Sequence, residues 1–251
     1  MPTITNTLEI HSLHAKAPGQ EILRGVDVSF PRGKIVTLMG PNGSGKSTLA
    51  HVLMGQPEFT VTKGQIRWQG KNLLRLKAWE RSRLGLFVSF QQPPELPGVN
   101  LLEFLATAYK AHHPKANQQK DFDKNLRKAL STLKLPESFL ERSVNTGFSG
   151  GEKKKAEMLQ LLVLQPKLAI LDEVDSGLDI DALKLISKTV RSLRSPQRTF
   201  IIITHYQRLL QYLKPDIVHV LVNGVIAESG SAALVKKIEK KGYSEYLKVA
   251  S

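Results

Sequence analysis

Gly40-Pro41-Asn42-Gly43-Ser44-Gly45-Lys46-Ser47-Thr48 decides how the rest of the chain is read. It fits the phosphate-loop pattern GxxxxGK[ST] at every fixed position. Lys34-Ile35-Val36-Thr37-Leu38-Met39 before it reads as a buried strand and Leu49 to Met54 after it as a helix, which is the context that gives the pattern meaning. Glycines let the backbone fold tightly round an anion, so that successive amide protons and the positive end of the helix converge on phosphate oxygens. Lys46 would then reach the terminal phosphates and the Ser47 hydroxyl would bind magnesium. A glycine-rich turn with an incidental lysine explains the loop but not the strand and helix around it.

A second motif supports the first. Leu168-Ala169-Ile170-Leu171 ends in Asp172-Glu173, an apolar strand running into two acids. Downstream of a phosphate loop, this places one carboxylate on magnesium and the other beside the attacking water of a phosphoryl transfer. Asp172 is therefore expected to hold magnesium and Glu173 to polarise the nucleophile.

The chain has 251 residues, 41% of them hydrophobic, enough for a substantial core. Its most tempting membrane run, Leu159 to Leu171, is broken by Gln165-Pro166-Lys167, too short to span a bilayer. Met1 to Glu9 lacks the basic-then-apolar layout of a signal peptide, so the cytoplasm is the expected compartment. With no cysteine, thiolate metal sites and disulfides are excluded. A formal charge of +14 suits nucleic acid, an anionic membrane face or an acidic protein. Its lysines scatter over several expected helices without an aromatic ladder, which argues for solvated faces and against a nucleic-acid groove.

Strands are expected at Leu8 to Ile10, Val26 to Phe30, Gln65 to Gln69 and Gly85 to Phe90, then a helical stretch from Leu101 to Leu164 interrupted by a polar loop around His112 to Lys120. Strand, helix and strand follow at Leu168 to Leu171, Asp179 to Leu193 and Thr199 to Thr204. Ile217 to Val222 and Val225 to Glu228 flank Asn223-Gly224, a type I′ hairpin signal.

Phe148-Ser149-Gly150-Gly151-Glu152-Lys153 stands between these motifs at the head of an expected helix. It offers a second anion-binding helix start and resembles the signature sequence of the ABC ATPases. The resemblance implies an α/β fold: a P-loop NTPase of the ABC type, with an antiparallel β subdomain, a RecA-like core and an inserted α-helical subdomain. One ABC domain would cover 1–251, with 1–90 and 166–251 as core and β subdomain and about 91–165 as helical subdomain. It also implies that Ser149, Gly150 and Gly151 act on ATP held by a second copy of the chain. Gln91 resembles the Q-loop glutamine that senses magnesium and water, Ser176-Gly177-Leu178-Asp179 the D-loop at the dimer interface, and His205 the switch histidine at the terminal phosphate. ATP and magnesium are the implied cofactors, in an enzyme that hydrolyses ATP to ADP and phosphate. The aromatic residue on which most ABC domains stack adenine is missing; Leu13-His14-Ala15-Lys16-Ala17 offers only His14.

Longer segments narrow the resemblance. Phe90-Gln91-Gln92-Pro93-Pro94-Glu95-Leu96-Pro97-Gly98-Val99, Arg142-Ser143-Val144-Asn145, Asp175 to Lys184, Thr204-His205-Tyr206-Gln207-Arg208 and Lys214-Pro215-Asp216 are similar to the SufC family, ATPases of the Suf iron-sulfur cluster assembly machinery. That implies SufB-like and SufD-like scaffold partners, with Pro93 to Val99 as the contact surface. The alternative is a nucleotide-binding subunit of an ABC membrane transporter. Lys153-Lys154-Lys155 has two readings: an exposed basic face, or amines turned toward Glu173 in a resting ion pair.

Overall fold

The computed structural model describes residues 7–114, 118–175, 179–204 and 207–249. Its centre is a six-stranded sheet in the order β12-β11-β3-β10-β9-β6. The strands are β3 (Ile35–Met39), β6 (Leu86–Ser89), β9 (Leu168–Asp172), β10 (Thr199–Ile203), β11 (Ile217–Val222) and β12 (Val225–Gly230). All pairings are parallel except that of β11 with β12. Parallel strands covered on both faces read as unbroken apolar runs, and every residue of β3, β6, β9 and β10 is buried. Asn223 and Gly224 both have positive φ, 48° and 79°, which is what the expected type I′ turn requires.

A second, antiparallel sheet runs β2-β1-β4-β5: β1 is Leu8–Ala17, β2 Gln20–Phe30, β4 Thr60–Trp68 and β5 Lys71–Asn72. β1 extends well past Ile10 because a bulge at Ser12, with φ 43°, shifts the alternation so that Leu13 and Ala15 return to the core. β4 begins earlier than the sequence suggests, since Thr60 to Gln65 contribute no buried side chain.

Helices α1 (Lys46–Met54), α6 (Ile180–Leu193), α7 (Gln207–Leu213), α8 (Ala233–Lys241) and α9 (Ser244–Val249) accompany the central sheet in sequence, and α2 (Ala78–Arg83) precedes β6. The expected helical stretch contains α3 (Leu101–His112), α4 (Gln118–Leu133) and α5 (Gly150–Leu164), which pack on one another. A small ladder that the sequence does not announce, β7 (Leu96–Asn100) with β8 (Ser143–Val144), joins this region. Pro97 and the positive φ of Gly98 disguise β7. Asn100 ends it by accepting the Leu102 and Glu103 amide protons at the start of α3.

The helix that follows the phosphate loop is anchored at its far end by a buried guanidinium. Arg81 donates to the carbonyls of Val52, Leu53 and Leu76 at 2.6, 2.9 and 3.0 Å, supplying donors and positive charge to the carbonyl end of α1. Arg81→Ala is expected to lower stability by about 3 kcal/mol, read as a drop in the urea midpoint with m unchanged.

Candidate nucleotide site

Between β3 and α1 the loop predicted to bind phosphate forms a tight cradle. A Cβ on Gly40 would lie 2.0 Å from the Leu221 carbonyl oxygen and 2.8 Å from Ser44 Oγ. Gly45 has φ 103°, and a Cβ there would stand only 2.8 Å from Leu23 Cδ2. These two glycines are therefore fixed by close approach and by backbone conformation. The β11–β12 hairpin braces the cradle: Gly224 donates its N–H to the Ser44 carbonyl at 3.1 Å and accepts from Arg24 at 2.9 Å. That brace is not legible from the motifs, because Asn223-Gly224 signals a turn but not where its tip lands.

Lys46 lies in this cradle, 5% exposed, donating to the carbonyls of Gly40 and Pro41 at 2.9 Å each. Burial lowers its pKa, while Glu173 and Asp172 pull it back up. The cleft above, about 330 Å³, is lined by Ile22, Asn42, Gly43, Gly45, Lys46, Ser47, Thr48, Gln91 and Glu173. Thus the loop residues, Gln91 and Glu173 are brought together from segments far apart in sequence.

Asp172 ends β9 almost fully buried. Burial raises its pKa to about 6, against a hydrogen bond from the Ser47 hydroxyl that lowers it; neighbouring Glu173 raises it further, and Lys46 and Lys154 act the other way. Its Oδ1 has no hydrogen-bond partner. A buried carboxylate oxygen left over beside a hydroxyl and a phosphate cradle fits magnesium, which takes one or two protein oxygens and completes its shell with phosphate and water. Among the described residues no cluster of three or more His, Asp or Glu side chains could form an all-protein metal cage.

Glu173 has φ 46°, an unfavourable conformation for a non-glycine residue that functional sites tolerate. Its N–H is held by the Ile203 carbonyl at 2.9 Å, and its Oε2 accepts from Gln91 Nε2 at 2.8 Å. A carboxylate so oriented can take a proton from water in the cleft.

Ser149, Gly150 and Gly151 do not line this cleft. Ser149 caps α5 with a reciprocal box: its N–H donates to Glu152 Oε2 at 2.8 Å and its Oγ accepts the Glu152 N–H at 3.3 Å. The Ser149 N–H, then Arg142, hold the Glu152 pKa down at about 2. Asp179 caps α6, accepting the Ala182 N–H at 2.7 Å, and shares a separate cleft with Gly151. His205 and Ser176 to Leu178 lie outside the described residues.

His14, the only residue the sequence offers at the usual adenine-stacking position, has its Nδ1 2.9 Å from Glu21 Oε1 and its ring beside Gly25; Ile22 lines the nucleotide cleft. Two of the three lysines at the head of α5 have acidic partners other than Glu173. Lys153 meets Glu95 at 2.9 Å and Lys154 meets Glu157 at 3.1 Å, because Glu157 is a buried acid one turn along the same helix face.

Residues 23–176 match the family model described as ABC transporter. The chain belongs to this family, as an ATP-binding subunit of it. It is 50% identical over 241 residues to a probable ABC transporter ATP-binding protein of Streptococcus pyogenes serotype M18, covering 94% of this chain and 93% of that protein. It resembles SufC: the probable ATP-dependent transporter SufC of Escherichia coli is 49% identical, with 94% of this chain and 97% of that protein covered. A solved ATP-binding subunit of an ABC transporter superimposes with a TM-score of 0.81 at 23% identity, over 97% of this chain and 99% of that one, and so shares the fold. No helix among the described residues is long and apolar enough to cross a membrane.

Proposed function

We propose that this chain is the cytoplasmic, magnesium-dependent ATPase that drives conformational change of a SufB/SufD-type scaffold in iron-sulfur cluster assembly. The observation that carries the ATPase part of the reading is the convergence on one cleft of Lys46, Ser47 with its hydrogen-bond partner Asp172 behind it, and the Gln91–Glu173 pair; similarity to SufC supports the scaffold part. Residues 1–251 would act as one ABC ATPase domain, with about 91–165 as its helical part.

With ATP present, Lys46 exchanges the Gly40 and Pro41 carbonyls for the terminal phosphates, and the N–H groups of the Gly40 to Thr48 loop, all but that of Pro41, which has none, cradle the rest. Ser47, Asp172 and Gln91 would present oxygens to magnesium, which would neutralise charge on the phosphate oxygens. Glu173 takes the proton of the attacking water while Gln91 orients its carboxylate, and the family resemblance assigns His205 to the terminal phosphate. Positioning supplies most of the catalysis in such a transfer, so an incomplete site hydrolyses slowly.

Completion by a second copy is supported by Gly150 and Gly151. A Cβ at either would meet nothing within 4 Å, yet glycine favours helix formation less than alanine does. The absence of any internal demand for them fits an external approach, that of the partner copy's nucleotide, with Asp179 near the same interface.

Val99 and Leu102 are exposed large apolar residues at the β7–α3 junction, which supports Pro93 to Val99 as the scaffold contact. The names of the streptococcal relatives favour the second reading, a transporter's nucleotide-binding subunit. Adding a purified SufB/SufD-type scaffold should raise the chain's ATPase rate, and chelating magnesium should abolish that stimulation. An unresponsive rate, with stimulation instead by a membrane transporter in liposomes, would overturn the scaffold reading.

A further inference from the structure

Residue Phe90 connects β6 to Gln91, and both of its main-chain polar groups are held by α5. Glu157 Oε1 accepts the Phe90 N–H at 2.9 Å, and Lys154 Nζ reaches the Phe90 carbonyl at 3.4 Å. The same amine closes the arrangement by donating to Glu157 Oε2 at 3.1 Å. One residue further on, Gln91 donates to Glu173 at 2.8 Å. Two helical turns back along α5 stand Ser149, Gly150 and Gly151.

Glu157 is 3% exposed and lies between the buried apolar residues Ala156 and Met158. Removing a carboxylate from water is unfavourable, and an apolar side chain of similar size would fill such a place at lower free energy. What the acid gains is direction: it is a fixed acceptor aimed at one amide, with a cation aimed at the carbonyl of the same residue. Packing alone would let the segment after β6 slide along α5; paired polar contacts do not.

We infer that Glu157 is a positioning residue that holds the Phe90 main chain to α5, sets Gln91 against Glu173, and so ties the Ser149 end of the helix to the water-activating pair. This rests on the ATPase reading above. When α5 moves as a second copy closes on Ser149 to Gly151, Phe90 moves with it, and Gln91 is carried into or out of line with Glu173. Each chain thereby links the half-site it lends to its partner with the half-site it keeps.

A double-mutant cycle tests the coupling. Glu157→Ala should lower kcat about tenfold, as outer-shell losses commonly do, with the ATP dissociation constant within about twofold of wild type. In a Gln91→Ala background the same change should have no further effect on kcat, because the contact it serves is gone. Glu157→Gln, which keeps an acceptor oxygen and the volume, should retain more activity than the alanine variant and covers the case in which that variant fails to fold. Amide hydrogen exchange at Phe90 reads the clamp without turnover and should quicken most in the alanine variant and by a smaller factor in the glutamine variant, whose neutral amide oxygen is a weaker acceptor than the carboxylate. Independent, multiplicative losses in the cycle, or unchanged Phe90 exchange, would overturn the inference. A wild-type chain that hydrolyses no ATP would instead defeat the ATPase reading and leave the clamp judged by exchange alone.

Discussion

Glu173→Gln is expected to lower the rate of ATP hydrolysis by about 10²- to 10⁴-fold, the usual loss when a positioned general base is removed. The carboxylate faces the cleft and is held by Gln91 at 2.8 Å, and glutamine keeps the volume but cannot accept the water's proton. Nucleotide affinity should hold or tighten, since the substitution removes a negative charge from beside the phosphate cradle. Single-turnover hydrolysis and a fluorescent ATP titration on the same preparation separate the two effects. A variant that hydrolyses at the wild-type rate would remove Glu173 from the base role.

Asp172→Asn should make the nucleotide-free chain more stable while removing its activity. Burial lifts the carboxyl to about 6 from an ordinary value of 3.8, so the folded chain binds this proton more tightly than the unfolded chain does. The sign follows: below about pH 4 the group is protonated in both states and has no effect, and as pH rises toward 6 it increasingly opposes folding. Above that its penalty is constant at about 3 kcal/mol. Asparagine removes the charge, so the stability gain should be largest at pH 7 to 8 and vanish near pH 3.5 in urea titrations. Magnesium and ATP together should raise the melting temperature of the wild type by ligand linkage and fail to do so for the variant. Equal stabilisation of both by magnesium and ATP would take Asp172 out of the metal site.

These effects separate what the residues announce from what only the fold supplies. Gly40 to Thr48 and Asp172-Glu173 are legible because their chemistry is local: a loop that must hug an anion, and a buried strand that must end in acid. The central sheet is legible for a related reason, since strands buried on both faces leave unbroken apolar runs. Gln91 and Glu173 can be named separately, but their hydrogen bond depends on β6 and β9 lying side by side, a long-range pairing that no local pattern carries. Glu157 is hidden because an acid in a lysine-rich helix start reads as one more surface charge; its burial exists only once α5 packs against the end of β6. The bulge at Ser12 and the strand containing Pro97-Gly98 are obscured by residues that break alternation, and His14 by a partner, Glu21, across the β1–β2 turn.

The most direct test of the scaffold-driving role is to recover the tagged chain from its own cells and identify what stays bound by mass spectrometry, comparing the soluble and membrane fractions. Soluble SufB-like and SufD-like proteins copurifying with the chain in stable proportion are the predicted result. A polytopic membrane protein in their place would contradict it, and would make the same ATPase site the motor of a transporter.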